Sequence, residues 1–181
     1  MTTPEKKSAG KTPGRKPADS SDPISARTAA RVAVVQALYQ MDLAGTDLND
    51  VIEEFLSVRF TPEGRDETIE GADRTFFADI LRAVLRRQRE IDPMVDEQLA
   101  AGWRLVRVDS ILRAVLRAGV AELLDRNDVP ARVVINEYIN VARFFFSEDE
   151  PRVVNGVLDK IAHVVRPQEF DANSGNKFAR P

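Results

Sequence analysis

The sequence has no cysteine, a single histidine and a single tryptophan. Without thiols there is no disulfide, no thiolate metal site and no cysteine nucleophile, and one imidazole is too few for a histidine-ligated zinc. No stretch of about 18 consecutive apolar residues occurs, so no segment reads as a membrane span. The N-terminus is basic but lacks the apolar stretch of a secretory signal, which points to the cytoplasm. There is no Gly-rich phosphate loop and no Ser/His/Asp grouping, and the many carboxylates fall in loops and on polar helix faces, so no enzyme is expected. Gly10-Lys11-Thr12 imitates the end of a P-loop. Glu5 stands where that loop needs its first glycine, and no strand precedes it.

What is present is charge, unevenly spread. Residues 1–31 carry Lys6, Lys7, Lys11, Arg15, Lys16, Arg27 and Arg31 against Glu5, Asp19 and Asp22, a net +4 that leaves −7 for the rest of a chain totalling −3. A basic arm on an acidic body is an interaction-tail pattern. Residues 1–23 have almost nothing to bury and are expected to be a disordered basic tail. A helical domain over 24–166 and a flexible tail over 167–181 complete the division.

Apolar residues recur at helical spacing throughout, giving an all-α fold of seven predicted helices and no strand. Ser25 caps the first, which runs to Leu43 and stops at Gly45. Thr46 or Asp47 opens a short second, and the third spans about Gly71 to Glu90. Asp92-Pro93 predicts a restart, with a fourth helix ending near Gly102. Asp109 caps the fifth, which ends at Asp125. The sixth starts at Pro130, with Val134, Ile135, Tyr138, Ile139, Ala142, Phe145 and Phe146 on one face and a polar stripe of Arg132, Asn136, Asn140 and Arg143 opposite. Ser147-Glu148-Asp149-Glu150 reads as a capping box for the seventh, striped by Val154, Val157, Leu158, Ile161 and Val165. This last antiparallel pair is expected to centre the core.

Arg27 and Arg31 lie four apart, on one side of the first two helical turns. They read either as a solvated face or as two guanidinium forks spaced for successive phosphates, with Tyr39 as a stacking surface and Gln36 along the same edge. Gly156 inside a helix costs about 1 kcal/mol against alanine, which implies a neighbouring backbone too close for a side chain. Asn136 and Glu137 sit near a helix start and are expected to satisfy free amides.

Val35-Gln36-Ala37-Leu38-Tyr39, Ala114-Val115-Leu116-Arg117, Asp128-Val129-Pro130, Val134-Ile135-Asn136-Glu137 and Val154-Asn155-Gly156-Val157-Leu158-Asp159-Lys160 together resemble the bacterial NusB family of transcription antitermination factors, in register from about Ile24 to Pro167. The resemblance implies a seven-helix fold of two packed bundles, without catalytic activity or cofactor. It also implies binding to single-stranded boxA RNA of ribosomal-operon leaders together with the small-subunit ribosomal protein NusE. The pair joins an antitermination complex on RNA polymerase and promotes readthrough. The free protein is a monomer or a homodimer. Arg27, Arg31, Gln36, Tyr39 and Asp149 are the RNA-side positions this implies, with Asp149 tempering affinity by repulsion; Leu112, Arg113 and Arg117 face the NusE partner. The family's first helix usually opens with more arginines; here Thr28 and Ala29 stand where arginine is common, which lowers the expected RNA affinity. The alternative is a protein-interaction scaffold of the same fold that binds no RNA. Its fused form, on RNA cytosine methyltransferases, needs a catalytic domain and a cysteine that this chain lacks.

Overall fold

A computed structural model describes residues 24–171. Among them the chain forms α1 (Ala26–Ala44), α2 (Leu48–Glu54), α3 (Arg74–Gln98), α4 (Ser110–Asp125), α5 (Ala131–Phe145), α6 (Glu150–Val165) and α7 (Gln168–Asp171), and no strand. The basic arm and its P-loop imitation lie outside the described residues. None of the described helices is long and apolar enough to cross a membrane.

The number of helices agrees with expectation, but their division does not. Where the sequence predicts a restart at Asp92-Pro93, α3 runs unbroken for 25 residues with Pro93 inside it. An interior proline costs about 3 kcal/mol or more. Here the flanking Ile91 and Val95 are fully buried. Asp92 does not cap, because its carboxylate accepts from Nε and Nη2 of Arg117 on α4, both at 2.8 Å. The missing helix is instead the single turn α7, in the stretch read as a loose tail. Its Glu169 accepts the Ala131 N–H at the start of α5 at 2.6 Å and the Arg166 Nη1 at 3.0 Å. The capping box at Ser147 is not formed either: α6 begins at Glu150, and the preceding Asp149 makes no side-chain cap bond.

Two helices are enclosed almost all round. From Thr28 to Val35 every residue of α1 is buried, and from Leu112 to Leu123 every residue of α4 is buried except Arg113. The core is therefore centred on α1 and α4, and the α5–α6 pair packs onto α4 rather than forming the centre. Close approach explains one glycine and not the other. A Cβ on Gly119 of α4 would sit 2.7 Å from Leu158 Cδ1 of α6, whereas a Cβ on Gly156 would meet nothing within 4 Å. The backbone crowding expected at Gly156 is thus absent; the crowded glycine is Gly119, and its near neighbours are side chains. On the other side of α1, Phe55 in the π-helical extension of α2 stacks on Phe77 of α3 at 5.1 Å. Phe60 packs edge-on against both.

Candidate nucleic-acid interface

Ser25 caps α1 by accepting the Thr28 N–H at 3.1 Å, which fixes the direction in which Arg27 and Arg31 leave the first turns. The two arginines then part company. Arg27 stays at the surface with 45 % of its side chain exposed, 3.8 Å from Asp128 and 4.0 Å from Asp73, its guanidinium over the Phe76 ring. Arg31 turns inward and is 3 % exposed. Its Nε and Nη2 donate to the fully buried Glu122 at 2.9 and 2.6 Å, and its Nη1 donates to Glu137 at 3.0 Å. Burial alone would lower the pKa of this guanidinium; the Glu122 hydrogen bond and charge outweigh it and raise it. Arg31 is therefore a core cation, and the expected pair of exposed forks is not formed. The reason is tertiary, since Glu122 on α4 and Glu137 on α5 both converge on α1. Glu137 accordingly takes Arg31 and the Thr28 hydroxyl (2.6 Å), not free amides.

Gln36 and Tyr39 line one cleft of about 250 Å³ with Gln40, Arg59 and Phe145. Gln36 is held in place, its Nε2 donating to Asp66 at 3.0 Å and its Oε1 accepting from Arg59 at 3.4 Å. Burial raises the Asp66 pKa, but hydrogen bonds from Thr68 and Gln36 more than offset this and leave it lowered. Tyr39 is 36 % exposed, the one large aromatic of α1 open to solvent.

Asp149 is almost fully exposed in the acidic turn, 3.8 Å from Arg152. It lines a different cleft, of about 410 Å³, together with Trp103, Asp109, Leu112 and Val153. Leu112 is buried except where it forms part of that wall. Arg113 and Arg117, expected to face a partner, are mostly buried and paired within the chain: Arg113 with Asp42 at 2.9 Å, Arg117 with Asp92. Beside this cleft lies a second of about 300 Å³, sharing Trp103 and Val153 and bounded by Gly156 and Lys160. Trp103 is half exposed and Val106 three-quarters exposed.

Two charged residues escaped the sequence reading. Glu122 is a carboxylate among the apolar neighbours of α4, and that isolation was its only signal. Arg166 follows the last long helix and reads as a stop signal, yet it is 1 % exposed. It donates to the carbonyls of Leu123, Val129, Glu122 and Arg126 at 2.6–3.1 Å, satisfying the free C-terminal end of α4 and the turn into α5.

The NusB family model matches residues 28–163. The transcription antitermination protein NusB of Rhodopseudomonas palustris (strain TIE-1) is 51 % identical over 144 residues, covering 80 % of this chain and 83 % of that protein. The Caulobacter vibrioides protein of the same name is 48 % identical over 147 residues, covering 81 % and 99 %. Among solved structures, T. maritima NusB superposes with a TM-score of 0.66 at 31 % identity, covering 80 % of this chain and 96 % of that one. The chain, whose described helices pack around α1 and α4, belongs to the NusB family.

Proposed function

We propose that this protein is a transcription antitermination factor that binds boxA RNA of ribosomal-operon leaders together with the ribosomal protein NusE, and so promotes readthrough by RNA polymerase. The observation that carries the reading is the family match across nearly the whole helical domain. Arg27 and Tyr39 support it as exposed cation and stacking surface at opposite ends of α1, with Gln36 beside Tyr39 and Asp149 tempering affinity by repulsion. Arg31 serves this function indirectly, by holding α1 against α4 and α5.

The NusE side is best supported by the joined clefts around Trp103. Leu112 and Val153 form apolar walls, the half-exposed Trp103 is shared by both clefts, and Gly156 leaves a gap on α6. In the free protein nothing crowds Gly156 to offset the helix propensity it gives up, which fits a surface that a partner approaches closely. Arg113 and Arg117 support that surface by tying α4 to α1 and α3.

Titration of a labelled boxA RNA and a scrambled control at two salt concentrations, with and without NusE, tests this. The expected result is preference for boxA, affinity falling with salt by about 0.7 log units per log of salt for each phosphate contact, and tighter binding with NusE. That coupling is reciprocal, so RNA must tighten NusE by the same factor. The burial of Arg31 favours a second reading, a scaffold that binds protein and no RNA. Retained NusE binding with equal, weak affinity for both RNAs would select it.

A further inference from the structure

We infer that the outer face of α5 is the track along which the RNA strand lies, with Arg132 and Arg143 holding phosphates, Asn136 and Asn140 reading bases, and Phe144 stacking at the far end. This rests on the RNA-binding reading above. It begins from a difficulty that burial creates. Between Arg27 and Tyr39, every residue of α1 is buried except Gln36, which is half-buried and occupied by Asp66 and Arg59. A strand that touches both ends of α1 must lie on what flanks it.

Helix α5 runs alongside α1 in the same sense: Thr28 and Arg31 meet Glu137, and further along Gln36 and Tyr39 share a cleft with Phe145. Arg132 to Phe144 covers about 18 Å at the helical rise, the same length as Arg27 to Tyr39. The exposed residues of α5 are Arg132, Val133, Asn136, Asn140, Arg143 and Phe144. No carboxylate is among them, because Glu137, the only acid of the helix, is turned inward to Thr28 and Arg31. On α3 and α6, by contrast, exposed cations have exposed acids beside them: Arg82, Arg86 and Arg89 with Asp79 and Glu90, Arg152 and Lys160 with Asp159. On an acidic body, a face of two guanidiniums, two amides and a half-exposed phenylalanine has the composition single strands select: cations for the backbone, amides for base edges, an aromatic for stacking. Arg143 is already steered along it by donating to Asn140 Oδ1 at 3.0 Å. The acidic turn Glu148-Asp149-Glu150 follows Phe144 closely and closes the track by repulsion.

Fluorescence anisotropy with the full chain and a short single-stranded boxA RNA tests the inference. Removing two phosphate contacts in Arg132→Ala/Arg143→Ala should flatten the log–log salt slope by about 1.4 and weaken binding at 0.1 M salt roughly 25-fold. The control Arg82→Ala/Arg89→Ala deletes the same charge from α3 and should stay within about twofold, since screening limits distant charges. Asn136→Ala/Asn140→Ala should keep the slope but lose most of the preference for boxA over a scrambled strand. If wild type prefers boxA while both α5 double variants bind as wild type does, the track is wrong and the RNA reading survives. Equal loss in the α3 control also overturns the track, leaving only net charge. A wild type without preference for boxA removes the RNA reading and the track together.

Discussion

Replacing Arg31 with alanine separates a core cation from a surface one. In the native fold its guanidinium neutralises Glu122, whose side chain is wholly inaccessible, and shares Glu137 at 3.0 Å. Truncation leaves a buried carboxylate with no positive partner, and breaking such a pair from one side costs about 3–5 kcal/mol. Against a typical domain stability of about 5–15 kcal/mol that is a large share. For a domain of this size it lowers Tm by roughly 6–20 °C. Urea denaturation followed by helical circular dichroism measures the loss. Arg27→Ala is the control, and its half-exposed pairs should contribute no more than about 1 kcal/mol. Adding Glu122→Gln to Arg31→Ala should recover part of the loss, because the stranded charge is removed. If Arg31→Ala unfolds with the wild type yet loses RNA binding, the reasoning is refuted and Arg31 acts at the surface.

Arg166→Ala should destabilise the fold by about 3–5 kcal/mol, since each buried group left without its partner costs about 1–3 kcal/mol and the carbonyls of Leu123 and Val129 lose their donor, while those of Glu122 and Arg126 keep a backbone N–H; a denaturation curve reads it. Gly156→Ala should stabilise the free protein by about 1 kcal/mol, there being open space for the methyl group. The same change should weaken NusE, and calorimetric titration against a thermal melt shows whether the two effects oppose each other. Acid should weaken the fold modestly through its lowered carboxylates. At Glu169, burial raises the pKa but the Ala131 N–H and Arg166 outweigh it, and at Asp128 the Arg126 hydrogen bond leads the lowering. Groups depressed in the folded state stabilise it above their unfolded pKa values of about 3.9–4.3. That contribution disappears as pH falls through the still lower folded values. A pH series of melts should therefore be flat in this respect above pH 5 and fall below about pH 4.

Periodicity made the apolar faces legible. Val134, Ile135, Tyr138 and Ala142 on α5, and Val154, Val157, Leu158 and Ile161 on α6, are buried as their spacing requires. Local chemistry also announced Ser25, Asp109 and Gly45, which cap as expected. What stayed hidden depends on contacts between distant residues. The i, i+4 spacing of Arg27 and Arg31 puts them on neighbouring parts of one helix, but says nothing about Glu122, 91 residues away, which draws one of them inward. Asp92-Pro93 has the local form of a helix start, and Arg117 on another helix claims the aspartate. Gly119 and Gly156 look alike in sequence, and only the position of Leu158 tells them apart. Of the candidate site, Arg27 and Tyr39 were marked by type and spacing, and both are exposed in the fold. The polar stripe of α5 was also visible, but it becomes a candidate only once α1 is found to be covered.

The most direct test of the proposed RNA surface is a chemical-shift map of the isotopically labelled protein as boxA RNA is added. The account predicts the largest changes at Arg27, Tyr39 and the exposed positions from Arg132 to Phe144, with the buried amides of α4 hardly moved. Changes confined to the clefts around Trp103, or to the arginines of α3, would contradict it.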